Sequence, residues 1–368
     1  MKPTYFRSKG KKIRLPVFFP DATRAVIRTI DSQDIESTKT PGILVNTYHL
    51  YKDLGKNVIK AHGDIRNFMN WHGAVISDSG GFQVMSIVKK FGGKGKVTDN
   101  GVTFQESNKK RVSLTPEDSI AFQMILKTDL VVVLDDYTPP DADRKEAEET
   151  VERTISWAKR SKAEFEKICK RDGLTEKTRP YIIGVIQGAK HYDLRKHCAE
   201  ELVKIGFDGL GFGGTPMNTD GSFNYDVVTV DRQITPDHYL LYGLGVGKPH
   251  EIVWCVDHGY HIFDCVLPTR DARHKRLYVY NADSVDSIDV KKEKFYSYYT
   301  PDKEKYYNDS RAVSTACDCL LCTNYSRAYL AHLFRIGDST ALRLSTIHNL
   351  RFYSILMEKL RKITVDIP

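Results

Sequence analysis

Short apolar runs recur along most of the chain, and amphipathic or charged segments separate them. The runs are continuously apolar instead of alternating, which is typical of strands in a parallel sheet with both faces buried. Between them, residues 115–127 open with Thr-Pro-Glu, residues 143–169 are long and charged, and residues 192–205 place apolar side chains at helical spacing. Eight strand–helix units over about 270 residues predict a (β/α)8 TIM barrel of the α/β class. The predicted strands are 15–19, 42–45, 74–77, 130–134, 181–186, 209–212, 239–244 and 261–263.

The predicted strands end in polar or small residues. Active sites of this barrel class are built at the carboxyl ends of the strands. A single aspartate in such a place is usually a helix cap or a turn residue. Three aspartates at equivalent ends, beside glycines, instead predict a polar pocket for a small molecule. The residues at these ends are Asn46, Asp78, Asp135, Gln187, Gly213-Gly214, Gly245 and Asp264.

Asp135, Gln187 and Gly214 offer groups that complement a purine-like base. A carboxylate accepts hydrogen bonds from ring N–H and amino groups, while an amide or a backbone N–H donates to a carbonyl oxygen. Asp78 precedes two glycines and Phe82, and glycines let a planar ligand approach the backbone while Phe82 supplies a stacking face. The simpler interpretation of that stretch is a tight turn with a core phenylalanine.

Asp264 is the strongest candidate for the reactive centre, because a carboxylate at a strand end can attack an anomeric carbon. A dense basic segment follows it, with Arg270, Arg273, Lys275 and Arg276. Phosphates that flank a nucleoside would bind such a segment, so these four residues are predicted to contact RNA. The alternative is a solvated charged loop that binds nothing.

Three thiols lie within six residues at Cys317, Cys319 and Cys322, and His348 follows in a helix-like segment. Three thiolates and one imidazole match a closed tetrahedral Zn²⁺ site, which is typical of structural zinc. His332 is a possible competitor for the fourth position. Chance clustering of buried free cysteines is the other interpretation. The remaining four of the seven cysteines are scattered, which argues against a disulfide framework.

Composition narrows the class further. With 41% hydrophobic and 28% charged residues, the 368-residue chain is ordinary for a soluble protein, and its formal charge of +8 is a mild bias toward polyanions. The first residues contain no apolar signal core, and no later stretch reaches the ~18 apolar residues of a membrane span. We therefore expect a cytoplasmic protein without membrane contact.

Seven short motifs follow one another along the chain: SDSGGFQVMS, LDDYTPP, VIQG, GFGG, GLGVGKPHEI, FDCVLPTR and CDCLLC. In this order they resemble the tRNA-guanine transglycosylase (queuine tRNA-ribosyltransferase) family. The resemblance implies a zinc-bearing TIM barrel that exchanges guanine 34 of a tRNA with a GUN anticodon for a 7-deazaguanine base, preQ1 or queuine.

The resemblance also implies roles for single residues. Asp264 would be the nucleophile that holds a covalent ribose intermediate, and Asp78 the general acid/base that contacts the base. Asn46 would orient Asp78. The residues implied to bind the base are Asp135, Gln187, Gly214, Phe82, Tyr242 and Leu244.

Departures from the family pattern lie near the place where the substituent of the base should project. Gly214 is followed by Thr-Pro-Met-Asn where the family has a leucine, small residues and a glutamate, and Tyr137 stands where a smaller residue is common. The bulk of Tyr137 and Met217 predicts a small aminomethyl- or cyano-substituted base in preference to queuine. Insertion of the base into DNA, or a non-catalytic subunit of a heterodimer, remain the alternatives.

The predicted division of the chain is a catalytic barrel over 1–282, an insertion with the zinc subdomain over 283–350, and a final helix over 351–368 that packs on the barrel. Tyr325, Tyr329 and His332 fall on one face of a predicted helix after the cysteines. Aromatic stripes are common interface anchors, so we expect a homodimer through this helix. The alternative is that the stripe packs against the barrel.

Overall fold

The computed structural model describes residues 2–81, 95–107, 110–218 and 220–365. In chain order their strands are β1 (Tyr5–Ser8), β2 (Lys11–Arg14), β3 (Val17–Pro20), β4 (Gly42–Asn46), β5 (Ala74–Asp78), β6 (Gly95–Thr98), β7 (Gly101–Ser107), β8 (Lys110–Leu114), β9 (Leu130–Val132), β10 (Tyr181–Ile186), β11 (Gly209–Phe212), β12 (Leu240–Gly243), β13 (Ile262–Cys265), β14 (Leu277–Tyr280) and β15 (Tyr296–Tyr299).

The helices of the same residues are α1 (Ser32–Ser37), α2 (Thr47–Asp53), α3 (Gly55–His62), α4 (Ile65–Met69), α5 (Pro116–Leu126), α6 (Arg144–Arg171), α7 (Tyr192–Ile205), α8 (Tyr225–Ile234), α9 (Pro249–Asp257), α10 (Leu267–Arg273), α11 (Leu320–Asn324), α12 (Arg327–Ile336) and α13 (Ser339–Val365).

Eight parallel strands form the barrel that the apolar runs predict. Their order in the sheet is β3-β13-β12-β11-β10-β9-β5-β4. The ring closes between β3 and β4, where the Ala22 N–H donates to the Leu44 carbonyl at 2.7 Å and the Asn46 N–H donates to the Thr23 carbonyl at 3.2 Å. The predicted fold class is therefore confirmed, with each strand within a few residues of its predicted range.

A single cluster of side chains fills the barrel interior, including Val17, Phe19, Ile76 and Tyr242. The β1–β2 hairpin covers the amino-terminal end of the barrel, and Phe6 from β1 is fully buried there, with its ring 5.8 Å from that of Phe19. The hairpin therefore closes the barrel interior at this end.

The helices that the sequence predicts between the strands are present with side-chain caps where the chain offers them. Thr115 and Asp118 form a reciprocal capping box at the start of α5, and the Asp143 carboxylate accepts from the Glu146 N–H at the start of α6. The sequence analysis did not predict the three-stranded antiparallel sheet β6-β7-β8, nor the short helices α2 to α4 between β4 and β5.

The last helix, α13, joins the carboxyl-terminal segment to the barrel. The Tyr353 hydroxyl donates to the Gly247 carbonyl at 2.6 Å, and the rings of Phe352 and Tyr280 stack at 4.1 Å. The helix runs through the predicted boundary between residues 350 and 351 without a break. The division into three parts remains a prediction.

Candidate active site

A cavity of about 580 Å³ opens at the carboxyl ends of the barrel strands. Its size is within the range usual for small-molecule sites. Its walls combine apolar side chains with four carboxylates. Three of them stand at strand ends, as the polar strand ends predict, and the fourth lies in the first turn of α9. The four carboxylates are Asp78, Asp135, Glu251 and Asp264.

Asp78 ends β5 and is held by groups at the start of α2. The Asn46 side-chain amide donates to Asp78 Oδ2 at 2.7 Å, and the Thr47 and Gly80 N–H groups each donate to Oδ1 at 3.1 Å. Burial raises the pKa of Asp78 to about 7, and the negative charges of Asp21 and Asp264 add to the increase. At neutral pH this carboxyl can therefore either hold or release a proton, as a general acid/base must.

Asp21 is a site residue that the sequence analysis missed. It directly follows β3, and its Oδ1 accepts a hydrogen bond from the Thr23 hydroxyl at 2.6 Å. In the barrel β3 lies between β13, which carries Asp264, and β4 with β5, which carry Asn46 and Asp78. Burial raises the pKa of Asp21 itself.

Asp264 lies in β13, and its Oδ1 accepts two hydrogen bonds. The Tyr242 hydroxyl donates to Asp264 Oδ1 at 2.7 Å, and the Gly245 N–H donates to the same oxygen at 3.2 Å. Tyr242 is fully buried, so it supports Asp264 from the barrel interior. Burial raises the pKa of Asp264 to about 6, and these two hydrogen bonds oppose the increase. The carboxylate form therefore predominates at neutral pH.

Asp135 lines the cavity, and the fully buried Gln187 lies directly beside it. Gln187 Nε2 donates to Asp135 Oδ2 at 2.6 Å, while its Oε1 accepts from the Thr138 N–H at 3.1 Å. This fixes the orientation of the amide and leaves its second N–H for another acceptor. Burial raises the pKa of Asp135 to about 6.

The Gly213-Gly214 turn continues this wall, and a buried ion pair holds it. Gly214 has a φ of +89°, and a Cβ on Gly213 would lie 2.3 Å from the Ile186 carbonyl oxygen, so both positions require glycine. Arg195 Nη2 donates to the Gly213 carbonyl at 3.3 Å, and its Nε donates to Asp231 at 2.7 Å. The sequence analysis missed this ion pair, which holds the Gly213 carbonyl in place.

Comparison with known proteins identifies the family. The queuine tRNA-ribosyltransferase family model matches residues 4–364. The chain belongs to the queuine tRNA-ribosyltransferase family. Relatives of that name are 34% identical in Haemophilus ducreyi and 35% identical in Actinobacillus pleuropneumoniae, each over 98% of this chain and 87% of the relative. A third, from Haemophilus influenzae, is 35% identical over 96% of this chain and 86% of its own length. The resemblance read from the motifs is thereby confirmed.

Among the other residues that the family resemblance implies, Leu244 lines the cavity, as do Tyr137 and Met217. The preference for a small substituent, which the bulk of Tyr137 and Met217 suggests, remains a prediction. Phe82 lies outside the described residues.

The basic residues after Asp264 do not form a plain loop, because α10 includes Arg270 and Arg273. Arg270 is exposed and lines the cavity, and Arg273 donates to the Thr269 carbonyl at 2.9 Å. Lys275 forms an ion pair with Asp302 at 2.9 Å, and the guanidinium of Arg276 lies 5.1 Å from the centre of an exposed tyrosine ring. Arg270 and Arg276 are the most accessible of the four.

The predicted metal ligands come together. The ligand atoms of Cys317, Cys319, Cys322 and His348 lie within 4.8 Å of one another in a buried cluster. His348 Nδ1 is 3.5 Å from Cys319 Sγ and 3.3 Å from Cys322 Sγ, close to the ~3.5 Å edge of a tetrahedral zinc site. The other ring nitrogen, Nε2, lies 2.8 Å from the Tyr278 carbonyl, which leaves Nδ1 free to bind a metal.

The competing ligand is excluded by position, because His332 is exposed and lies outside this cluster. The cluster could hold a metal ion, and its sulfur-rich donor set fits zinc. Its four ligands belong to α11, α13 and the residues just before α11, so a bound ion would join these segments.

Proposed function

We propose that the protein exchanges guanine 34 in the anticodon of a GUN tRNA for a 7-deazaguanine base, as the name of its relatives suggests. The observation that carries the proposal is that two differently held carboxyls, Asp264 and Asp78, line one cavity together with Asp135, which accepts a hydrogen bond from Gln187. One pair of groups would perform the glycosyl transfer while the other would bind the base.

In the first step an oxygen of Asp264 attacks C1′ of the ribose, and the bond from C1′ to N9 of guanine breaks. Both described hydrogen bonds of Asp264 end on Oδ1, so we assign the attack to Oδ2. The electron pair of the broken bond stays on the guanine, and Asp78 supplies the proton that this base needs to leave as a neutral molecule.

In the second step the incoming base loses its N9 proton to Asp78, and N9 attacks C1′. The ester bond to Asp264 breaks, so the nucleophile and the general acid return to their starting states. One bond to C1′ is exchanged for another of the same kind. The reaction therefore requires no nucleoside triphosphate.

Asp135 would accept from the N1–H and the 2-amino group of the base, and Gln187 and the Gly214 N–H would donate to O6. Arg270, Arg273, Lys275 and Arg276 would contact the flanking phosphates. A cytoplasmic location and bound Zn²⁺ are part of the same proposal. Among the described residues, no helix is both long and apolar enough to cross a membrane.

We also propose a homodimer through α12. The rings of Tyr325 and Tyr329 stack at 5.1 Å, and the two residues are 36% and 41% exposed, so part of the stripe is open to solvent. Exposed aromatic rings that hold each other rigidly suit an interface, since little entropy is lost when a partner covers them.

The test is release of labelled guanine from tRNA in the presence of 7-deazaguanine bases. Exchange with a GUN tRNA and its loss in Asp264→Asn would support the proposal. Exchange only with DNA would favour the alternative substrate. An absence of exchange with every polynucleotide would point to a non-catalytic subunit.

A further inference from the structure

Asn349 is a fully buried amide in α13 that the proposed reaction does not use. Its side chain holds both ends of the basic segment that follows Asp264, because Nδ2 donates to the Pro268 carbonyl at 2.9 Å and to the Arg276 carbonyl at 3.0 Å. Its Oδ1 accepts from the Tyr278 N–H at 3.1 Å. Both N–H donors and the amide oxygen are therefore engaged, which fixes the orientation of the amide.

Tyr278 makes a second connection between α10 and α13. Its hydroxyl donates to Asp271 in α10 at 2.6 Å, and its carbonyl lies 2.8 Å from Nε2 of His348 in α13. Its N–H is the group that donates to Asn349. Because all three polar groups of this buried tyrosine are engaged, α10, β14 and α13 form one hydrogen-bonded unit.

An asparagine is an unfavourable choice for this part of α13 on grounds of stability alone. Its neighbours Ile347 and Leu350 are buried and apolar. An apolar side chain would be buried without loss of hydration, whereas an amide must replace each hydrogen bond to water by one inside the protein. A fully satisfied polar network holds its members at fixed distances and angles, so it is suited to keep α10 in one place.

The segment held in this way carries basic side chains at the mouth of the cavity. Arg270 lines the cavity, and Arg273 is the last residue of α10. A shift of α10 would move both guanidinium groups relative to Asp264, which lies outside the network in β13. Because the attraction between a guanidinium and a phosphate depends on their distance, the position of α10 determines how well the flanking phosphates are held.

We infer that Asn349 is a positioning residue for RNA, which sets the place of α10 so that Arg270 and Arg273 meet the phosphates beside the target nucleotide. This inference rests on the proposed function. Asn349 contacts neither the base nor the ribose in that account, and it is not one of the four predicted metal ligands. Its loss should therefore weaken RNA binding and leave base binding, the chemistry at Asp264 and the bound metal intact.

The experiment compares wild type, Asn349→Ala and Tyr278→Phe, with Thr346→Ala as the matched control. Thr346 is also fully buried on α13, but its hydroxyl pairs with that of Thr29 at 2.9 Å and not with α10. For each protein we measure the bound metal, the Kd of guanine, and KM and kcat for a GUN tRNA. We also measure the Kd of the tRNA as a function of salt concentration.

Asn349→Ala should raise KM for the tRNA by about 5- to 30-fold, as expected for the loss of one or two hydrogen bonds, with kcat, the Kd of guanine and the bound metal close to wild type. The slope of log Kd against log salt concentration should become shallower by about one, because one or two phosphate contacts are lost. Tyr278→Phe keeps the amide and should show the same change to a smaller degree. Thr346→Ala should keep the wild-type slope.

An unchanged salt slope in both Asn349→Ala and Tyr278→Phe would overturn the inference, because a network that only stabilises the fold does not alter the number of phosphate contacts. An equal change in Thr346→Ala would also overturn it, since any disturbance of α13 would then suffice. If Asn349→Ala does not fold, Tyr278→Phe decides by the same criteria, because it removes a single hydroxyl. Failure of the proposed function would look different, because wild type itself would then exchange no base in the tRNA.

Discussion

The support of Asp264 by Tyr242 leads to a prediction about the pH dependence of the first step. Tyr242→Phe removes the hydroxyl that donates to Asp264 Oδ1 at 2.7 Å and leaves the Gly245 N–H in place. The hydroxyl stabilises the carboxylate form, so its loss must raise the pKa of Asp264 above its present value of about 6. A hydrogen bond to a charged group contributes about 1.5 to 3 kcal/mol, which corresponds to about one to two pKa units.

The assay is the single-turnover rate of covalent complex formation between enzyme and tRNA, measured across pH. The rate ratio of variant to wild type should be about 0.1 to 0.01 below about pH 6 and should approach unity above about pH 8. Any alkaline decline that depends on Asp78 cancels in this ratio. Tyr260→Phe is the control. It removes a buried hydroxyl that donates to the Val228 carbonyl at 2.9 Å, and neither residue lines the cavity. A ratio for Tyr242→Phe that is low but constant with pH would refute the reasoning.

Further predictions concern the same site and the two proposed assemblies. For wild type, the pH profile of kcat/KM should be bell-shaped. It should fall below about pH 6 as Asp264 is protonated and above about pH 7 as Asp78 loses its proton. A profile that is flat from pH 5 to pH 8 would contradict these assignments. Asp135→Asn should lower kcat/KM for guanine by about 10- to 100-fold, because an amide cannot accept from both N1–H and the amino group; an unchanged value would remove Asp135 from the base site. Cys319→Ala should lose the bound metal and lower the melting temperature by about 10 °C or more, as metal analysis and calorimetry would show, whereas full stability without metal would exclude a structural zinc. Tyr329→Ala should shift the protein toward monomer in light scattering, and an unaffected dimer would exclude α12 from the interface.

The barrel could be predicted because its strands are buried on both faces. Such strands are continuous apolar runs, and their polar ends are visible as soon as the runs are marked. The same rule explains why the sequence analysis missed Asp21. The first predicted strand ends at residue 19, whereas β3 extends to Pro20 and Asp21 follows it directly.

The remaining misses depend on contacts between distant segments. The sheet β6-β7-β8 consists of short strands with many polar residues, which carry no strong periodic signal. Glu251 resembles an ordinary acidic residue in the first turn of a helix, and only the barrel closure places it in the cavity wall. Arg195 and Asp231 lie on two separate helices, and nothing in their local sequence indicates that they pair beneath Gly213.

The most direct test of the central claim is the identity of the residue that becomes attached to RNA. A GUN tRNA is incubated with the enzyme without an incoming base, the complex is denatured, and the modified peptide is located by mass spectrometry. The account predicts a ribose ester on Asp264, absent in Asp264→Asn and removed when a 7-deazaguanine base is added before denaturation. Attachment to Asp78 or Asp21, or full base exchange by Asp264→Asn, would contradict it.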